Sequence, residues 1–223
     1  MSPKPGLILQ HGENGPPARF GEWLRERGLP FVVAHIWEEP VPDARKFAFV
    51  VSLGSIHSAA STEPAWIQHE IAALRTAAEH DVPALGLCFG GQALSVALEG
   101  GTDPLPAPEI GWIPIESFDR SVPGGPWLQY HSEQMRVPPG ARELARSPAG
   151  PAVFTRGPHM GVQFHPEADA GLANLWAQKD PDLPDAGLTP ADIASQSAAH
   201  AQPAREQAFR LFDAWIDGAV KPA

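Results

Sequence analysis

The sequence has one cysteine, Cys88, in 223 residues. That excludes an internal disulfide and any cysteine cluster able to hold zinc or an iron–sulfur centre. Basic residues are also scarce: 16 Lys and Arg stand against 26 Asp and Glu, a formal charge of −10. This balance argues against a general surface for nucleic acid or an anionic membrane. No apolar run approaches the ~20 residues of a spanning helix. The first residues, Met1-Ser2-Pro3-Lys4-Pro5-Gly6, enter the short run Leu7-Ile8-Leu9 without the apolar h-region of a signal peptide. A soluble cytoplasmic protein with neither nucleic-acid nor membrane partners is expected. There is no internal repeat, and no Gly-x-x-x-x-Gly-Lys-Ser/Thr loop for ATP phosphates.

What is present is an alternation of short apolar runs with helical patterns. Strands are expected at 7–11, 31–36, 47–53 and 84–87. Between them, 18–28 places Phe20, Trp23 and Leu24 on one helical face, with Gly28 as a stop. Residues 64–80 repeat Trp66, Ile67, Ile71 and Leu74 near the helical period, and 90–98 is helical. Strands apolar on both faces and alternating with helices predict an α/β fold, a mostly parallel sheet covered on both sides. The second half is less regular. Residues 101–109 read as a Pro-rich loop, and 110–118 and 152–164 contain strand-like segments. Residues 179–203 read as a polar surface excursion with a short helix at 190–195, and 204–219 as a final packing helix carrying Phe209, Leu211, Phe212, Trp215 and Ile216. One domain over 1–223 is expected, with 179–223 as its excursion and closing helix. Trp23, Trp66 and Trp215 fall at core spacings. Trp112 and Trp127 read as loop residues beside a site, with packing favoured over substrate stacking.

The lone thiol has a particular setting. In Leu85-Gly86-Leu87-Cys88-Phe89-Gly90-Gly91-Gln92, an apolar strand ends at Cys88 and a helix begins directly after it. A sharp strand-to-helix turn crowds its own backbone, so glycines flank a nucleophile presented at the sheet's carboxyl edge. The helix N-terminus favours a thiolate and offers free N–H groups to an oxyanion. The competing reading, a small buried hydrophobe, needs none of this. Among nine histidines, His165 ends the apolar strand of Gly161-Val162-Gln163-Phe164-His165-Pro166-Glu167, and Glu167 lies where a carboxylate can orient its imidazole. Alone, His-Pro-Glu reads more simply as a charged turn.

Together, the Gly86–Gln92 and Val162–Glu167 blocks resemble the two signature blocks of the class I (triad-type) glutamine amidotransferases, in the right order. Phe49-Val50-Val51-Ser52-Leu53-Gly54-Ser55 stands where that family has a strand and an oxyanion loop. Glu109-Ile110-Gly111-Trp112, Tyr130-His131-Ser132-Glu133 and Leu144-Ala145-Arg146-Ser147 are similar to the stand-alone branch related to the amidotransferase domain of GMP synthase. The resemblance covers residues 5–176. It implies a flavodoxin-like open sheet and a Cys-His-Glu amidohydrolase that turns glutamine into glutamate and ammonia without metal or organic cofactor. Carried over by position, Cys88 is the nucleophile, His165 the base and acid, and Glu167 its orienting partner. The Phe89 N–H and the Gly54-Ser55 turn, through Ser55, form the oxyanion hole. Gln92 touches the substrate's amino-acid end, and Tyr130, His131, Ser132 and Glu133 hold its α-amino and α-carboxylate groups, largely through backbone. Two departures stand out. Ser55 and Ile56 replace the usual glycine and proline, so a positive φ at Ser55 would cost about 1–2 kcal/mol and leave the loop in an inactive pose. Glu133 replaces an Asp. The ammonia acceptor is expected to be a separate synthase. The rival readings are a γ-glutamyl peptide or conjugate hydrolase, a non-catalytic binding protein on the same fold, and a different Cys hydrolase.

Overall fold

The computed structural model describes residues 4–181 and 183–220; the first three residues of the N-terminal reading lie outside them. Strands β1 (Gly6–Gln10), β2 (Phe31–His35), β3 (Val50–Ser52) and β4 (Ala84–Leu87) are linked by helices α1 (Ala18–Glu26) and α2 (Trp66–Glu79), and β4 runs into α3 (Phe89–Ala97). Next come β5 (Thr102–Ile113), β6 (Glu116–Ser117), β7 (Trp127–Met135), β8 (Arg142–Ser147), β9 (Gly150–Arg156) and β10 (His159–Val162). Helices α4 (Ala170–Lys179) and α5 (Pro190–Val220) close the described chain. The main sheet has the order β2-β1-β3-β4-β10-β9-β8-β6. The β2-β1-β3-β4-β10 half is parallel, and β9, β8 and β6 extend it antiparallel.

Alternation along the strands divides the core between two faces. Leu7, Leu9 and Val50 pack with Ile67, Ile71 and Leu74 of α2 and Leu94 of α3. Ile8, Val51 and Leu85 pack with Phe20, Trp23 and Leu24 of α1 and Phe212 and Trp215 of α5. Side chains of opposite parity therefore meet helices on opposite sides, which is why these strands carry no polar face. This is the α/β architecture expected. Among the described residues no helix is long and apolar enough to cross a membrane.

Three local expectations are corrected. The 101–109 segment is the start of β5, paired antiparallel with β7 in a separate ribbon. Its register breaks between Pro104 and Glu109, where Pro106 and Pro108 lie, so residues lacking a donor N–H fall at the irregularity. The short helix at 190–195 and the final helix are one 31-residue helix, α5, running through Pro203. Ile193, Ser197, Ala201, Ala204, Ala208, Leu211, Phe212 and Trp215 form its buried stripe. Continuous burial on both sides of Pro203 overrides the proline's breaking tendency. Finally, β10 ends at Val162 rather than His165. The His165 N–H leaves the sheet to donate to the Leu128 carbonyl of β7 at 2.9 Å.

Candidate active site

Strands β4 and β10 are parallel neighbours with Leu87 opposite Val162. The Cys88 N–H continues that ladder, donating to the Val162 carbonyl at 2.8 Å. At Cys88 the backbone then turns sharply, with φ 52° and ψ −110°. A non-glycine residue there is strained, and the strain lifts its side chain off the sheet edge. The flanking glycines are steric requirements: a Cβ on Gly86 would lie 2.1 Å from the Gly90 carbonyl oxygen, and one on Gly90 2.1 Å from that of Ser52.

The departure of residues 163–165 toward β7 brings His165 back over Cys88. Its Nδ1 meets Glu167 Oε1 at 2.7 Å, and the Cys88 sulfur acts electrostatically on its ring. Cys88 and His165 are 5% exposed and Glu167 2%. Burial alone would lower the imidazole pKa, but the hydrogen-bonded Glu167 carboxylate and the nearby Cys88 sulfur raise it to about 10. His165 thus carries its proton across neutral pH. The Trp176 ring stands edge-to-face against it at 4.7 Å, held by Nε1–H donation to the Asn14 carbonyl at 2.7 Å.

The Gly54-Ser55 turn closes a second side. A Cβ on Gly54 would come within 2.8 Å of His165 Cε1 and 3.9 Å of Cys88 Cβ, so the turn touches both groups and space demands glycine. Ser55 is not among the described residues with positive φ, so the strain expected there is absent. Its Oγ accepts from the His57 N–H at 3.2 Å. The Phe89 N–H opens α3 and is one of the orphan donors of a helix start.

The 130–133 segment forms the third side. The Cys88 sulfur lies 3.9 Å from the Tyr130 carbonyl oxygen. The Tyr130 hydroxyl pKa is raised by burial and by Asp180. The side chains that follow are committed to structure. The Gln92 amide donates to the Glu133 carbonyl at 2.9 Å. His131 is buried, with Nδ1 donating to that same carbonyl at 3.0 Å and Nε2 facing Glu109 Oε2 at 3.0 Å. Burial would raise the Glu109 carboxyl, but bonds from His131, Ser147 and the Ala149 N–H bring it below its ordinary range. The Glu133 carboxylate accepts from Thr102 Oγ1, and Ser132 is exposed. Cys88, His165, Glu167, the Gly54-Ser55 turn and the Tyr130 backbone therefore converge, while the polar groups of Gln92, His131 and Glu133 brace the strand behind them. Trp112 and Trp127 lie buried in strands: Trp112 donates to Ser197 and Trp127 stacks on Phe164. Sequence reasoning missed Trp176, Arg19 and the buried pair His11 and Glu70.

Comparison with known proteins decides the family: the model described as glutamine amidotransferase class-I matches residues 37–175. The chain belongs to the class-I glutamine amidotransferases. A glutamine-hydrolyzing GMP synthase of Aeropyrum pernix is 36% identical over 94 residues, 38% of this chain and 18% of that protein. A subunit of the glutamine-hydrolyzing GMP synthase of Ignicoccus hospitalis is 34% identical over 95 residues, 38% of this chain and 50% of that one. The aligned region thus spans half or less of these curated relatives. The crystal structure of a glutamine amidotransferase from Methylobacillus flagellatus matches with a TM-score of 0.88 at 25% identity, over 100% of this chain and 98% of that one. As in other amidotransferases of this class, the fold is an open α/β sheet with helices on both faces.

Proposed function

We propose that the protein hydrolyses the side-chain amide of glutamine through a Cys88 thioester and passes ammonia to a separate synthase. The observation that carries this reading is the buried grouping of Cys88 with the bonded pair His165 and Glu167 beside the Gly54-Ser55 turn, in a chain of this family. The Cys88 thiolate adds to the amide carbon. The oxyanion accepts from the N–H groups of Phe89 and Ser55, each such donor being worth about 10²–10³ in rate. His165 gives its proton to the departing nitrogen, and the C–N bond breaks. His165 then takes a proton from water, which attacks the thioester and releases glutamate. Glutamine and water become glutamate and ammonia, with no net redox change. The backbone of 130–133 holds the α-amino and α-carboxylate groups in this reading, because the side chains there are engaged elsewhere.

Support for a separate acceptor comes from the Ignicoccus relative, which is named as one subunit of a synthase. The test is steady-state hydrolysis of glutamine beside a panel of γ-glutamyl amides, with Cys88→Ala as control. Turnover of glutamine that Cys88→Ala abolishes is expected. High turnover of a γ-glutamyl conjugate with none of glutamine makes the protein a γ-glutamyl hydrolase instead. No turnover of either, with or without a synthase, leaves a binding protein.

A further inference from the structure

Behind the Gly54-Ser55 turn lies another buried histidine–carboxylate pair that the mechanism above does not use. His11 follows β1 and is 8% exposed; Glu70, from α2, is 0% exposed. Their atoms meet at 2.9 Å, His11 Nε2 to Glu70 Oε2. His11 Nδ1 meets the Gly54 carbonyl oxygen at 3.0 Å. A carbonyl only accepts, so Nδ1 carries a hydrogen. The Nε2–Oε2 contact then holds a second proton, and the ring is fixed at both ends. Its faces are fixed too: Trp66 stacks on it at 5.0 Å and 19°, and Phe89 meets it edge-on at 4.9 Å. A buried carboxylate is costly to keep unless its bonds matter, and the remaining oxygen of Glu70 has no partner among the described residues.

The Gly54-Ser55 peptide is trans. In a planar trans peptide the C=O and the following N–H point to opposite edges. A bond that fixes the Gly54 carbonyl therefore also fixes where the Ser55 N–H points. We infer that His11, anchored by Glu70, is a positioning residue that locks this peptide so that the Ser55 N–H faces the developing oxyanion. The inference rests on the proposed amidohydrolase reading. It also accounts for a turn that has Ile56 in place of proline: an external donor supplies the restraint that the missing ring does not.

His11→Phe keeps an aromatic ring between Trp66 and Phe89 but removes the donor. His11→Asn places an amide N–H near the Nδ1 position. The expected outcome for His11→Phe is a kcat about 10²-fold lower with KM changed less than about threefold. Alkylation of Cys88 by iodoacetamide, a displacement that forms no oxyanion, should keep its wild-type rate. His11→Asn should recover about tenfold of the lost turnover. A His11→Phe enzyme with wild-type kcat, an alkylation rate that falls in step with turnover, or a His11→Asn enzyme no faster than His11→Phe each overturns the inference. Should the wild-type protein turn over no γ-glutamyl amide, the functional reading fails by itself. The latch is then decided by the crystal structure of His11→Phe: a reoriented Gly54-Ser55 peptide supports it, and an unchanged one overturns it.

Discussion

At the scale of single residues, the proposed chemistry depends on how one imidazole is charged. Glu167 supports the protonated ring, and the His165 pKa stands at about 10. In Glu167→Gln that support is lost, so the folded pKa falls and the proton leaves at lower pH. The alkaline limb of the kcat/KM profile should therefore move down in pH, and kcat should drop by about 10²-fold or more. A pH–rate series on wild type and variant checks both. The proposed nucleophile, base and orienting carboxylate were legible because each sits in a contiguous motif: glycines around a tight turn, and an apolar run closed by His-Pro-Glu. Trp176, His11 and Glu70 were not. His11 and Glu70 are 59 positions apart and meet only through the packing of α2 on the sheet. Nor does the sequence around Gln92 and His131 tell that their polar groups bond Glu133 and Glu109 rather than facing outward.

At the scale of elements, the parallel half was readable because hydrophobic period and flanking turns agree. The errors came where a local preference and tertiary burial disagree. Pro203 is the example. It is exposed within α5, and the carbonyl four residues earlier, on exposed Ala199, lacks its helical donor. Pro203→Ala restores that bond without losing packing. The variant should gain about 1–2 kcal/mol, part of the helix benefit being offset by a freer unfolded chain. Thermal melts should show a Tm higher by about 2–6 °C.

At the scale of the molecule, the site is joined to the closing helix by one buried cation. The Arg19 side chain donates to the carbonyls of Ala168 and Ala201, both at 2.6 Å, while its own N–H donates to the Glu167 carbonyl at 3.0 Å. Burial lowers its pKa, with Asp169 and Glu22 opposing. This one side chain ties α1, the turn carrying Glu167, and α5. Arg19→Met removes both of these charge-assisted bonds and should cost about 2–4 kcal/mol. Urea unfolding measures that loss. The activity of the folded fraction should fall as well, because the turn holding Glu167 loses its tether. Long-range ties of this kind leave no trace in local pattern, since a lone arginine on a helix reads as surface charge.

The edge-to-face contact of Trp176 with His165 has an optical consequence. A protonated imidazole against an indole quenches its fluorescence, whereas the neutral ring does so far less. The emission of Trp176, isolated as the difference between wild type and Trp176→Phe, should brighten as pH rises through the His165 titration. In Glu167→Gln the brightening should begin at lower pH. The protein thus carries a native fluorophore that reads the charge of its proposed base directly, before any substrate is added.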